Sequence, residues 1–140
     1  MTRSESADAH LKLYRDDPDK AHFIYPRKDG QPVTTLLLTT IGRKSGEPRT
    51  TPLIYKKFGS DYVLVASLGG APNHPAWYLN LLETPDCEIQ AGSTRLKARA
   101  RVAGAERASL WAQMVDYFPD YAEYQRRTQR EIPVLVLTPR

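Results

Sequence analysis

One cysteine in 140 residues leaves no internal disulfide, so this chain holds its fold by packing alone. Cys87 sits in a β-patterned stretch with no base close to it in sequence, and reads as a buried structural thiol of a reducing compartment. Histidine is scarce as well. His10, His22 and His74 are scattered, with no cysteine or carboxylate at metal-ligand spacing, so no metal site is expected. No apolar run approaches the ~20 residues that cross a bilayer. The opening segment MTRSESADAHLKLYRDDPDK is charged and has no apolar core; no secretory leader is expected, and a cytoplasmic protein is. Its mixed charges leave contact with the inner face of a membrane open. No Ser-His-Asp arrangement, paired carboxylate or Cys-His pair stands out. That argues against a hydrolase and leaves the chemistry to a bound cofactor.

What the chain does have is positive charge. Twenty Lys and Arg against 16 Asp and Glu give a net +4 and a pI near 9.3. An anionic partner follows in general terms, without a choice among nucleic acid, phosphorylated cofactor and lipid. The length fits one domain, large enough to bury a core unaided.

Along the chain, residues 6–15 have a helical pattern inside a polar first 30 residues broken by Pro18, Pro26 and Gly30, which predicts a helix and a loose arm over 1–30. Residues 34–40 and 49–57 are β-rich, and residues 61–67 give a third strand running into Leu68-Gly69-Gly70. AWYLNLLE, after Pro75, has the spacing of a short helix stopped before Pro85. Residues 87–90 and the strictly alternating TRLKARARV at 94–102 are strands. From Ala105, Leu110, Trp111, Met114, Val115 and Phe118 fall on one helical face until Pro119 breaks it. Asp120 and Glu123 have capping-box spacing, so a second helix is expected from about Tyr121 to about Gln129, before a closing strand IPVLVLT. The order β-β-β-α-β-β-α-α-β predicts a small barrel-like α+β domain of mostly antiparallel strands.

Residues 39–52, TTIGRKSGEPRTTP, form a basic, glycine-bracketed turn between two strands. Gly42 and Gly46 permit positive φ and close backbone approach, and Arg43, Lys44 and Arg49 supply charge, a composition that suits an anion such as phosphate and also suits an ordinary hairpin loop. The loop has neither Walker A spacing nor a Rossmann GxGxxG opening a helix, because RTTPLIYKK after it reads as a strand. Arg95, Lys97, Arg99 and Arg101 place four cations on one strand face, either gripping phosphates or simply guarding a solvated face against edge pairing. Tyr117, Tyr121 and Tyr124 with Phe118 and Trp111 concentrate aromatics around a helix break, as core or as the wall of a planar ligand. Of Trp77 and Tyr78, one is expected to plug the barrel end and the other to face a pocket.

Three segments in order, LLLTTIGRKSGEPRTTPL, VLVASLGGAPNHPAWYLNL and FPDYAEYQRRTQREIPVLVLTP, resemble the deazaflavin-dependent nitroreductase family, the class A flavin/deazaflavin oxidoreductases that use coenzyme F420. The resemblance runs from about Leu36 to Pro139. It implies a split β-barrel over residues 31–140, holding the deazaflavin in a groove with its phosphate and oligoglutamate tail against the basic loop. Gly42, Arg43, Lys44, Ser45, Pro48 and Arg49 match the phosphate and tail segment. Thr50, Thr51, Pro52 and Leu53 match the strand under the ring, Leu64, Val65, Ala66 and Ser67 the neighbouring strand, and Pro75, Ala76, Trp77, Tyr78 and Leu79 the helix start over the ring. Trp77, Phe118, Tyr121 and Tyr124 match the acceptor pocket, with Tyr121 or Tyr124 as the residues that orient the acceptor or supply a proton. Phe118 stands where well-known members have a tyrosine, and Leu68 where some carry a lysine. The implied reaction is hydride transfer from the reduced deazaflavin to a quinone, enone or nitroaromatic. FMN or haem in the same barrel is the alternative, and a basic nucleic-acid-binding barrel ranks below both, because the aromatics lie away from the basic strand. Monomer and homodimer both stay open.

Overall fold

The computed structural model describes residues 3–140. Strand β2 (Val33–Ile41) carries three successive leucines, and all three are buried. Alternate residues of a strand face opposite ways, so this burial needs cover on both faces. Leu36 and Leu38 point into a barrel, while Leu37 points outward beneath the N-terminal helix. Strands β3 (Pro48–Phe58), β4 (Asp61–Val65), β5 (Asp86–Ala91), β6 (Thr94–Val102) and β7 (Val134–Pro139) complete the barrel in the order β2-β3-β4-β7-β6-β5, with β5 returning to β2. Every pairing is antiparallel. The barrel-like α+β domain expected from the element order is observed, in the split-barrel form that the resemblance implies. The split lies along β2, whose edge pairs with β1 (Phe23–Ile24) at Val33 and Thr34 and with β5 from Leu37 to Thr39.

Two cores sit on the two faces of the same strands. Inside the barrel pack Leu36, Leu38, Leu64, Ile89, Leu135 and Leu137. Outside, Val63, Val65, Val134 and Val136 are covered by helices α4 (Arg107–Tyr117) and α5 (Asp120–Arg126) through Met114, Phe118 and Tyr121. Each fully buried aliphatic side chain is worth roughly 1.5–3 kcal/mol, which is why β4 and β7 read as unbroken apolar runs. Helix α3 (Ala76–Glu83) starts after Pro75, as expected, and its C-cap is Thr84, one residue before Pro85.

Four local expectations change. The capping box does not form: Pro119 is already helical at φ −57°, ψ −22°, so Asp120 enters as a helical residue and Glu123 pairs with Arg126 at 2.6 Å. Helix α5 also stops at Arg126 rather than near Gln129. There the Gln125 side chain takes over the backbone groups beyond it, donating to the Arg130 carbonyl at 2.8 Å and accepting from the Ile132 amide at 2.9 Å. Pro18, read as a breaker, instead opens a one-turn helix α2 (Pro18–Ala21), with Asp17 accepting from the Lys20 amide. The loose arm is in fact docked. Helix α1 (Arg3–Asp16) inserts Tyr14, only 1% exposed, whose hydroxyl donates to the Thr35 carbonyl and accepts from the Gly92 amide at 3.1 Å. Among the described residues no helix is long and apolar enough to cross a membrane.

Candidate active site

The basic loop between β2 and β3 is a closed turn. The Gly42 amide donates to the Glu47 carbonyl and the Gly46 amide to the Gly42 carbonyl, both at 2.8 Å. Of the two glycines only Gly46 has positive φ, at 74°. Gly42 is required for space instead: a Cβ there would stand 2.6 Å from Ser45 Oγ and 3.2 Å from the Glu47 carbonyl oxygen. Ser45 Oγ in turn accepts from the Glu47 amide at 3.2 Å and from Arg49 at 3.4 Å. The loop is fastened to α3 by Asn80, whose Oδ1 accepts from the Arg43 amide at 3.2 Å and its guanidinium at 3.1 Å, while its Nδ2 donates to Thr40 Oγ1 at 3.1 Å. This holds Arg43 half-buried at the rim and leaves Lys44 and Arg49 exposed.

A cavity of about 430 Å³ opens above this turn, lined by Gly42, Arg43, Lys44, Ser45 and Arg49 on one side and by Pro75, Ala76, Trp77 and Asn80 on the other. A second cavity, of about 620 Å³, adjoins it. Thr51, Leu68 and Trp77 line both, so the two form one groove, cationic at one end and aromatic at the other. Pro52, Leu53, Val65 and Ser67 form the strand side of the wider end, and Phe118, Tyr121 and Tyr124 its helical wall. These three rings meet edge to face, at centroid distances of 5.0 to 6.4 Å. Burial pushes the Tyr121 phenol far above its ordinary value, with the neighbouring Tyr124 and Tyr117 adding to it. It stays neutral, so its hydroxyl keeps a proton to donate in a hydrogen bond.

Of the residues singled out in the sequence, Thr50 and Thr51 flank the cationic end as well. Pro48, Leu64, Ala66, Tyr78 and Leu79 line neither cavity; Leu64 and Ala66 are wholly buried inside the barrel, on the opposite face of their strand from Val65 and Ser67. Trp77 does both jobs expected of the aromatic pair, packing in the inner core and facing the groove, while the Tyr78 ring lies tilted against His74 at a centroid distance of 4.8 Å. Cys87 is a buried thiol, pushed up to about 12 by burial first and Asp86 second.

Three contributors escaped sequence reasoning. Asn80 had a signal, being a polar residue on the apolar face of AWYLNLLE. Arg130 had none: its guanidinium donates to the carbonyls of Ala66, Ser67 and Ala71 at 3.2, 2.8 and 2.9 Å and lies 3.1 Å from His74 Nδ1, clamping the segment that carries Ser67 and Leu68. Burial and the Arg130 charge hold the His74 imidazole below its ordinary value, so it faces the guanidinium uncharged. The third is Ala7, which brings α1 to the aromatic end.

The family model described as F420H(2)-dependent quinone reductase matches residues 21–139. The chain belongs to that family. Within it, the F420H(2)-dependent quinone reductase Rv1261c of Mycobacterium tuberculosis is 44% identical over 135 residues, covering 94% of this chain and 88% of the relative. A solved F420-H2 dependent reductase superposes with a TM-score of 0.67 at 42% identity, covering 74% of this chain and 92% of that one. A second solved relative, a domain-swapped dimer, superposes at 0.70 with 34% identity and covers 93% of this chain and 94% of its own. Both resemble this chain closely enough to share more than a barrel.

Proposed function

We propose that this member of the quinone reductase family binds reduced coenzyme F420 along its groove and delivers a hydride to a quinone at the aromatic end. The observation that carries the reading is the groove itself, in which a cationic, backbone-accessible turn and an aromatic cleft share Thr51, Leu68 and Trp77. The residues fit the coenzyme: Arg43, Lys44 and Arg49, with the Ser45 hydroxyl, line one side of the same cavity, a donor set suited to a phosphate. Bound there, the deazaflavin supplies the hydride, and the quinone takes one further proton to become the hydroquinone.

Every other task falls to the chain. Arg43, Lys44, Ser45 and Arg49 hold the phosphate end. Thr50, Thr51, Pro52, Leu53, Val65, Ser67, Pro75, Ala76 and Trp77 shape the slot for the ring. Phe118 and the flanking tyrosines exclude water and position the acceptor. With its pKa raised, Tyr121 acts as a neutral hydrogen-bond donor that orients the acceptor oxygen rather than as a proton source; Tyr124, less buried, is the phenol placed to pass a proton from solvent. Phe118 contributes no hydroxyl at the centre of this wall, which favours a quinone over acceptors that need several polar contacts. The same cleft accommodates an enone or a nitroaromatic in size, and a homodimer is the expected assembly if the domain-swapped relative is a guide.

Titrating purified protein with reduced coenzyme by deazaflavin fluorescence, then adding menadione, tests this. Tight binding followed by reoxidation is expected. Tyr121→Phe raises the menadione KM roughly two- to tenfold, the worth of one hydrogen bond, with the coenzyme Kd unchanged. A preference for FMN over the deazaflavin, or no binding of either, sinks the reading.

A further inference from the structure

On the outer face of the barrel a separate groove of about 430 Å³ lies between α1 and strands β5 and β6. Its floor is apolar where Leu11 and Leu37 meet, and the inward-facing Ile89 and Leu96 border it along their strands. Its rim carries three cations, Arg15, Arg95 and Lys97, against one carboxylate, Glu88. Two features of the fold bring them together. Arg95 and Lys97 share the outward face of β6 two residues apart, and Arg15 lies on the same face of α1 as Ala7 and Leu11, at spacings of four residues. Tyr14 then pins α1 across β2, which sets Arg15 beside the β5–β6 ladder.

The basic strand is thereby divided. Arg99 lies 3.9 Å from Asp86, which also faces Arg140 at 3.6 Å, and Arg101 pairs with Glu106, so each cation in the far half of the ribbon has a carboxylate beside it. Among the described residues, Arg15, Arg95 and Lys97 take part in no ion pair. Glu88 stands opposite Lys97 in the ladder and offsets one charge of the three. An excess of unpaired cations over an apolar floor fits a ligand with repeated carboxylates on methylene stems. The groove also adjoins the main one at Thr50. Thr50 lines both, and its hydroxyl is hydrogen-bonded to that of Thr39 at 2.8 Å, forming a sill over the β2–β3 edge.

We propose that this outer groove holds the distal part of the coenzyme's oligoglutamate tail, its carboxylates on Arg15, Arg95 and Lys97 and its methylenes over Leu11 and Leu37. The inference rests on the coenzyme reading of the main groove. Under it, the turn at Arg43, Lys44 and Arg49 serves the phosphate and the first glutamate, and the tail crosses Thr39 and Thr50 to reach β6. The basic strand then sets a preference for long-tailed coenzyme without touching the reacting atoms.

Fluorescence titration at low salt with two forms of the coenzyme, one bearing several glutamates and one with none, tests the assignment. Wild type should bind the long-tailed form roughly three- to tenfold tighter, as a few exposed ion pairs allow. Combining Arg95→Ala with Lys97→Ala should abolish that preference while leaving the Kd of the tail-less form unchanged, which also reports an intact fold. Combining Arg99→Ala with Arg101→Ala removes the same charge outside the groove and should keep the preference. No preference in wild type, or one that survives Arg95→Ala with Lys97→Ala or vanishes equally in the control, overturns the proposal. Failure of the tail-less form to bind wild type overturns the coenzyme reading, and this inference with it.

Discussion

Asn80 is 3% exposed and fastens three groups at once: the amide and guanidinium of Arg43, and the hydroxyl of Thr40. Because a buried group stripped of its partner costs about 1–3 kcal/mol, Asn80→Leu should lower the unfolding free energy by an amount in that range, measured as a lower urea midpoint at unchanged m. It should also weaken coenzyme binding by about tenfold, since Arg43 and the turn behind it lose their anchor on α3, while the acceptor KM stays within roughly twofold. Asn80 lines the cationic end of the groove but not the aromatic end, so the two constants separate. Equal losses in both would mean that Asn80 stabilises the barrel as a whole rather than the turn.

At the scale of elements, the acceptor wall is only as well placed as helix α5, and α5 is seated on a glycine. Gly70 has φ +81°, and a Cβ there would meet the Tyr124 carbonyl oxygen at 2.6 Å and Arg127 Cβ at 3.0 Å. Gly70→Ala therefore combines backbone strain of about 1–3 kcal/mol with displacement of α5. Kinetics should show the acceptor KM rising severalfold with the coenzyme Kd nearly constant. Gly59→Ala supplies the comparison: its φ is +62° but nothing lies within 4 Å, so it carries the strain alone and leaves both constants unchanged. The strands behind this wall were legible in the sequence because their signals are local. The alternation of TRLKARARV and the β-branched runs at Val33–Ile41 and Val134–Pro139 need only neighbours in the chain to be read. The turn at Gly42 and the tyrosines after Pro119 were legible for the same reason. What was not legible depends on distance. Arg130 reaches Ala66 and Ser67 across more than 60 residues, Tyr14 finds Gly92 across 78, and no local pattern announces either. The capping box shows the converse failure, a local signal overruled because Pro119 had already entered the helical path ahead of Asp120.

The whole molecule responds to pH as one unit, because the barrel closes only when β5 reaches β2 and six of the seven strands belong to the ring. Ionisation of any buried group is then read out by global unfolding. On the alkaline side, burial raises the Cys87 thiol to about 12 from an ordinary 9.0 and the Tyr55 phenol to about 12 from 10.0, and it raises Tyr14 and Tyr121 as well. A group whose pKa is raised in the folded state binds its proton more tightly there. Its contribution is complete below the unfolded value and is lost as pH climbs from that value toward the folded one. Stability should therefore begin to fall above about pH 9, with the thiol first and the phenols joining above about pH 10. On the acid side His10, His22 and His74 are all lowered from 6.5, chiefly by burial, so the unfolded chain takes up their protons first and stability declines as pH drops below that value. The urea midpoint should accordingly be flat between about pH 7 and 9 and fall on either side. Cys87→Ala separates the two alkaline components: it costs a small cavity at every pH, about 1 kcal/mol, but moves the alkaline onset from near 9 to near 10. An onset that stays at 9 without the thiol would assign the first alkaline step to some other group, and a midpoint rising steadily with pH would refute the plateau altogether.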